Sequence, residues 1–227
     1  MKKLFCFLLA VLLCSLSLVA CDQTDAPTDS SEESSSKATE TTSNLPLFTE
    51  EPSQPIFSPS QDVTNFVLIN VASFGEIVVE LYPDVAPETV ANFQRLVGNG
   101  FYNGLIFHRV ISGFMIQGGD PNGNGTGGSG QPIKGEFYAN GFENNLSHTR
   151  GVLSMARRGD SYDSASSQFF ICHVDSPFLD GKYASFGKVV YGMEVVDAIA
   201  ALNTDYYDKP ISDVVIQSMN FVTKNAE

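Results

Sequence analysis

The chain has 227 residues, 43% of them hydrophobic and 17% charged, enough for one sizeable core with appendages. Acidic residues outnumber basic ones 26 to 13, a formal net charge of −13 that repels nucleic acid and anionic lipid headgroups and excludes both as electrostatic partners.

The N-terminal stretch MKKLFCFLLAVLLCSLSLVAC opens with Lys2 and Lys3, continues with an apolar run from Leu4 to Leu13, and reaches small residues through Ser15 and Ser17. This is the layout of an export signal over residues 1–20. An uncleaved transmembrane anchor is the competing reading, but Leu4 to Ala20 is only marginally long enough to span a bilayer and is interrupted by serines. Leu18-Val19-Ala20-Cys21 resembles the bacterial lipobox, which implies cleavage before Cys21, lipidation of its thiol, and an extracytoplasmic domain anchored by lipid to the bacterial cell membrane. Cys6 and Cys14 leave with the signal, so Cys172 is the one thiol left in the body, and neither a disulfide nor a multi-cysteine metal site can form there. In the apolar run QFFICHV it reads as a small hydrophobe, with His173 on the opposite face of the strand.

From Cys21 to Ser60 the composition turns to Ser, Thr and acid, then gains prolines at 46, 52, 55 and 59. Such a segment buries too little apolar area to offset its chain entropy, so residues 21–60 are expected to form a disordered tether, a coil spanning roughly 30 to 40 Å. The few apolar residues within it, Leu45, Leu47, Phe48, Ile56 and Phe57, are not expected to dock on the domain.

The folded part, residues 61–227, begins with two β-rich runs, NFVLINVAS and GEIVVELY, which read as a hairpin. APETVANFQRLVGNG follows as an amphipathic helix, with Pro87 in its first turn, Val90, Phe93, Leu96 and Val97 at helical spacing, and Gly98 and Gly100 as stop signals. Further strands are predicted over 105–111, 113–118, 151–156, 168–174, 184–190 and 212–223, with MEVVDAIAAL as a second helix. Eight short strands with only two helices imply a closed or sandwiched antiparallel sheet.

Searches for reactive groups return little. GNGTGGSG has the form Gly-x-Gly-x-x-Gly at 123, 125 and 128, but no helix follows to bind a phosphate, and it reads as a mobile loop. The chain has no Gly-x-Ser-x-Gly elbow, and the Ser-x-x-Lys from Ser34 to Lys37 lies in the tether. His108, His148 and His173 lack metal-ligand spacing and read as structural; no metal or cofactor is expected. Asp160 and Asp163, in a Ser-rich loop, read as solvated.

Strand phase groups what remains. Over 105–111, Phe107, Arg109 and Ile111 share a face opposite Ile106, His108 and Val110; Met115 and Gln117 share one, and so do Gln168 and Phe170. Two arrangements satisfy this pattern. Either a guanidinium, two amides, a Met and a Phe converge on a groove, or Arg109 sits in a core and pairs with a buried acid such as Glu136 or Glu143.

FHRVISGFMIQGGD, GNGTGG, GVLSMAR, SSQFFI and FLDGKYASFGKVVYGMEVVD, in order and with near-family spacing, closely resemble the cyclophilins, peptidyl-prolyl cis/trans isomerases. The resemblance covers residues 65 to 221 and implies an all-β fold with two helices: an eight-stranded antiparallel β-barrel capped by two α-helices. It implies that Arg109 is the catalytic arginine, that Phe114, Met115, Phe170 and Leu179 form the proline pocket, and that Gln117 contacts substrate and orients the arginine. Gly125, Ala156, Arg157 and Gln168 fall at positions lining the rest of the peptide groove. Phe178 stands where the best-known members carry a tryptophan that hydrogen-bonds cyclosporin, which implies weak cyclosporin binding, and Tyr183 stands where they have a histidine. The Gly159 to Ser167 loop is also longer than in those members, and Arg157 and Arg158 there point to a preference for acidic residues before the proline.

The chemistry so implied needs no nucleophile, because no covalent bond breaks. The expected function is isomerisation of X-Pro bonds in unfolded, exported polypeptides by a membrane-tethered monomer. A proline-peptide holding module and a structural lipoprotein on a borrowed fold remain as alternatives.

Overall fold

The computed structural model describes residues 56–225; the expected export signal, Cys21 and most of the expected tether lie outside the described residues. Nine strands are present: β1 (Phe57–Pro59), β2 (Phe66–Val71), β3 (Gly75–Leu81), β4 (Arg109–Ile111), β5 (Met115–Gly118), β6 (Val152–Met155), β7 (Phe169–Cys172), β8 (Ser185–Tyr191) and β9 (Ile216–Lys224). The helices are α1 (Pro87–Gly98) and α2 (Met193–Ala200). All strand pairs are antiparallel, in the order β1-β9-β2-β3-β8-β6-β7-β5-β4.

The sheet curls on itself without completing a continuous ladder. Its two ends are stitched by a single bridge, Ile106 to Val215, flanked by Phe107 N–H to Val214 O at 2.9 Å and Ile216 N–H to Leu105 O at 2.8 Å. The outer edge of β9 is therefore shared: its approach pairs with 104–107, and its far end, Val222 to Lys224, pairs with β1. An uncovered strand edge is an invitation to aggregation, and Phe57 to Pro59 close it. Strand β1 was not expected, since it lies upstream of Gln61. Its proline sits at the strand end, where a missing N–H costs least, and Phe57 packs 5.7 Å from Phe66.

The concave side of the sheet holds the core. Val67, Ile69, Ile77, Val79, Ile116, Leu153, Phe169, Ile171 and Phe186 meet Val90, Phe93, Leu96 and Val97 of α1 and Val195, Val196 and Ile199 of α2. Phe93 is at the centre, with ring centroids 5.1 Å from Tyr102, 5.6 Å from Phe169 and 5.1 Å from Phe186. The 3.6-residue spacing read from the α1 sequence is thus the face that it buries. The first free amides of α1 are met by the buried Glu136 carboxylate, which accepts from Glu88 N–H at 3.0 Å and Thr89 N–H at 2.8 Å.

The single strand expected over 105–111 is broken. Residues 104–107 pair with the approach to β9, whereas 109–111 pair with β5, and the chain changes phase where it changes neighbour. Phe107 is consequently in the core, fully buried, and does not share a face with Arg109.

Candidate active site

In the β4–β5 hairpin Arg109 lies opposite Gln117 and Ile111 opposite Met115. On the other edge of β5, Gln117 lies opposite Phe170 and Met115 opposite Cys172. Directly opposed residues share a face, so Arg109, Ile111, Met115, Gln117, Phe170 and Cys172 stand together on the convex side, while Val110, Ile116 and Ile171 point into the core. The groove arrangement is the one adopted. Neither acid proposed as a core partner reaches Arg109: Glu136 caps α1, and Glu143 accepts from Asn145 at 3.0 Å.

Apolar members of this face form a second, smaller cluster. Met115, Phe170, Cys172 and Leu179 are buried in it, and Ile111, Phe114, Ala156 and Tyr183 pack against them. Phe114 is delivered by the β4–β5 turn, its N–H donating to Ile111 O at 3.0 Å and its carbonyl accepting from His173 N–H at 2.8 Å. Leu179 and Phe178 come from the short helical turn Pro177–Leu179; Phe178 lies 5.4 Å from Phe114 and is 59% exposed, forming a lip on the pocket.

The polar end of the face is a chain of amides. Gln117 Nε2 donates to Gln168 Oε1 at 2.8 Å, and Gln168 Nε2 donates to the carbonyls of Gly125 at 3.0 Å and Gly127 at 2.8 Å. The glycine loop, expected to be mobile, is tied down here and by Asp120, whose carboxylate accepts from the N–H groups of Asn122, Asn124 and Gly125. Burial opposes ionisation of Asp120, but those three donors outweigh it and hold its carboxyl below the usual range. At two positions of the loop a side chain is excluded by space: a Cβ on Gly127 would collide with Asp120 Oδ1, and one on Gly128 with Ser166 Oγ. Between the loop and the β6–β7 connection lies a cleft of about 730 Å³, with Gln117, Gly125, Ala156, Arg157, Arg158 and Gln168 among its walls.

Arg157 is not a free cation. Its guanidinium lies 4.7 Å from the Tyr183 ring, 5.0 Å from Tyr162 and 5.4 Å from Phe137, and it donates to Lys182 O at 3.0 Å and Arg158 O at 2.9 Å. It anchors the extended loop and braces Tyr183, which meets Phe170 edge-on at 6.1 Å. Arg158 is largely exposed beside Asp160 at 3.1 Å. Asp163, read as merely solvated, accepts from Gly135 N–H at 2.9 Å and Asn140 Nδ2 at 2.7 Å, bonds that hold its carboxyl below the usual range and fasten the same loop.

Each histidine stands behind a different part of the face. His108 is buried next to Arg109 in sequence, and burial pushes its imidazole below the ordinary value although Asp120 pulls the other way. His148 stacks on Phe170 at 6.1 Å and 16°, with Nδ1 2.8 Å from Asp180 Oδ1 and Nε2 2.9 Å from Ser154 Oγ. Asp180, His148 and Ser154 have the composition of a hydrolase triad, but Ser154 and His148 are buried and the line serves as a strut under Phe170. His173 Nδ1 accepts from Gly113 N–H at 3.0 Å, and its Nε2 lies 3.2 Å from Asp197 Oδ1, fastening the turn that carries Phe114. Burial, then the carboxylates of Asp180 and Asp175, push the Cys172 thiol up to about 12, which removes it as a nucleophile.

One residue of the site was not legible in sequence. Arg109 Nε lies 3.2 Å from Asp208 Oδ2, ninety-nine residues downstream. Gln117, expected to orient the arginine, directs its amide nitrogen to Gln168 at 2.8 Å.

Residues 66–221 match the family described as cyclophilin type peptidyl-prolyl cis-trans isomerase/CLD. The chain is 46% identical over 145 residues to the peptidyl-prolyl cis-trans isomerase ppi1 of Schizosaccharomyces pombe, covering 63% of this chain and 91% of that protein. It is 42% identical over 156 residues to peptidyl-prolyl cis-trans isomerase-like 1 of Emericella nidulans, covering 68% and 94%. A crystal structure of a Cryptosporidium parvum cyclophilin type peptidyl-prolyl cis-trans isomerase, obtained in the presence of the dipeptide Ala-Pro, superimposes with a TM-score of 0.64 at 35% identity, covering 70% of this chain and 99% of that one. The chain therefore belongs to the cyclophilin-type peptidyl-prolyl isomerase family. Within that family it is an enzyme, a peptidyl-prolyl cis/trans isomerase.

The buried histidines make stability depend on pH. His108 and His148 are held below 6.5 in the folded protein, whereas the unfolded chain titrates near that value, so the unfolded state takes up protons first as pH falls. Their contribution is complete above about pH 6.5 and is lost as the pH falls below it; the depressed carboxyls of Asp120 and Asp180 act only further down. Thermal unfolding is expected to show a flat midpoint from about pH 8 to 7 and a lower one near pH 5.5. An equal or higher midpoint at the acid end would contradict this account.

Proposed function

We propose that this protein accelerates cis/trans isomerisation of X-Pro bonds in exported or surface polypeptides, with Arg109 donating to the prolyl nitrogen while Phe114, Met115, Phe170 and Leu179 hold the ring. The observation that supports this most directly is one guanidinium placed on the same outer face as a compact apolar cluster, with a line of amides alongside. Rotation about an ordinary peptide bond is opposed by roughly 18 to 20 kcal/mol of lost conjugation, and X-Pro bonds take tens to hundreds of seconds to interconvert unaided. In the twisted amide the nitrogen becomes pyramidal and basic. A hydrogen bond to it is then stronger than in the planar ground state, so the donor lowers the barrier differentially. The pocket's contribution is to grip the ring, exclude water and hold the amide against the donor. Gln117 and the carbonyl-lined loop beyond Gln168 supply acceptors and donors for the extended peptide on either side of the proline.

Placement outside the cytoplasm rests on the first 21 residues. A two-lysine start, a short apolar run and a small residue before Cys21 fit cleavage and lipidation, and an acidic, proline-bearing tether suits a domain held clear of the membrane. Polypeptides emerging unfolded from export carry slow X-Pro bonds, which makes them apt clients. With no side-chain N–H on Phe178 to meet the drug, cyclosporin is a weak ligand of this groove.

Arg109→Ala is expected to lower kcat/KM for a proline tetrapeptide about a hundred- to a thousandfold while the far-ultraviolet dichroism spectrum stays that of the native protein. Full activity in that variant would remove Arg109 from the mechanism. Phe178→Trp should tighten cyclosporin inhibition about tenfold, read as the shift in inhibition constant; no shift would mean that the lip does not meet the drug. Mass spectrometry of the mature protein from a bacterial host should show an N-terminus at Cys21 carrying a diacylglyceryl group, and an intact residue 1 or a cut elsewhere would overturn the anchor.

A further inference from the structure

We infer that Asp208 is a positioning residue for the isomerase reaction: its carboxylate holds the Arg109 guanidinium by Nε and leaves the terminal N–H groups available to the substrate. The inference rests on the assignment of Arg109 as the donor. Among the described residues the hydrogen bond from Arg109 Nε to Asp208 Oδ2, 3.2 Å, is the one made by this guanidinium, so both terminal nitrogens are without a protein acceptor. Gln117, the residue opposite Arg109 in the ladder, gives its amide nitrogen to Gln168.

The connection between α2 and β9 is shaped to present this carboxylate. Thr204 and Pro210 form a bridge, Asp205 N–H donates to Lys209 O at 2.8 Å, and the Asp205 carboxylate accepts from the N–H groups of Tyr207 at 2.8 Å and Lys209 at 3.0 Å. At the tip Asp208 adopts φ +64°, a left-handed conformation uncommon for a residue with a Cβ. Its own carbonyl accepts from Val110 N–H at 2.8 Å, so the loop is registered against β4 one residue from Arg109. Both side chains of the ion pair are about two-fifths exposed, 43% and 40%, and an exposed pair of this kind adds little to stability. A carboxylate delivered from a left-handed turn onto the Arg109 guanidinium, in an exposed pair that adds little to stability, points to function.

Two effects of Asp208 oppose each other, and their balance gives the test its sign. As a bare negative charge it weakens the donor strength of Arg109, so removing it should raise the rate. As a positioning group it restricts the flexible guanidinium to one plane, so removing it should lower the rate. The inference requires the second to win. Asp208→Gly is the informative variant, because glycine accepts the positive φ without strain and leaves the loop backbone undisturbed. Asp208→Asn keeps an oxygen acceptor at the same place and tolerates the same conformation.

Wild type, Asp208→Gly, Asp208→Asn and Arg109→Ala are to be compared on one proline tetrapeptide, with kcat and KM separated and thermal midpoints recorded. The expected result is a kcat about five- to tenfold lower in Asp208→Gly with KM within about twofold, and a smaller loss in Asp208→Asn. A structural role alone would lower the midpoint and leave no rescue by asparagine. Unchanged or raised kcat in Asp208→Gly, with Arg109→Ala strongly impaired, overturns the positioning role and leaves the Arg109 assignment standing. Full activity in Arg109→Ala overturns that assignment and this inference with it.

Discussion

The antiparallel register of β4, β5 and β7 is the constraint on which the site depends. Arg109 opposite Gln117, and Gln117 opposite Phe170, place a cation, an amide and an aromatic ring in one line across three strands. Side chains alternate with period two, so a slip of one residue would send Arg109 toward the core and Val110 into the groove. Such a slip is opposed from the other side of the sheet, where Val110, Ile116 and Ile171 are buried among the residues of α1 and α2. The interior of the curled sheet is filled by side chains, which leaves the convex face as the surface on which a peptide can lie.

A reaction that rotates a bond demands geometry more than reactivity, and the surroundings of the face are consistent with that demand. The thiol nearest the pocket, Cys172, is buried with its ionisation pushed up to about 12. The Asp180, His148 and Ser154 line is triad-like in composition yet closed to any substrate, and it backs Phe170. His173 fastens the turn bearing Phe114, and Arg157, caged by three rings, braces Tyr183. Buried polar groups of this kind are costly unless satisfied, and once satisfied they fix the apolar residues packed on them. The glycine loop follows the same logic. Asp120 and Gln168 use its backbone groups to make a rigid carbonyl-lined wall from a glycine-rich segment.

Much of this was legible in the chain because local periodicity and local chemistry carried it. The apolar spacing of Val90, Phe93, Leu96 and Val97 marks α1, and alternation in 113–118 puts Met115 with Gln117. Ordered motifs in register were enough for the family, and the residues they single out, Phe114, Met115, Ala156, Phe170, Leu179 and Tyr183, do meet in one cluster. Alternation failed at Phe107 because the chain exchanges one neighbouring strand for another between 107 and 109, and a sequence pattern cannot show a change of neighbour. Arg157 looked like a free charge because its three rings come from residues 137, 162 and 183.

The sequence by itself determined the helix and strand periodicities and the shared face of Met115 and Gln117, which depend on neighbours within a few residues, while its ordered motifs marked the pocket residues through the family they resemble. Tertiary structure alone decided that the sheet ends are joined by one bridge, that Phe57 covers the open edge of β9, that the glycine loop is fixed, and that Arg109 meets Asp208. Those contacts join segments far apart in the chain, and the free energy that selects them comes from edges, burial and charge brought together only when the whole sheet has assembled.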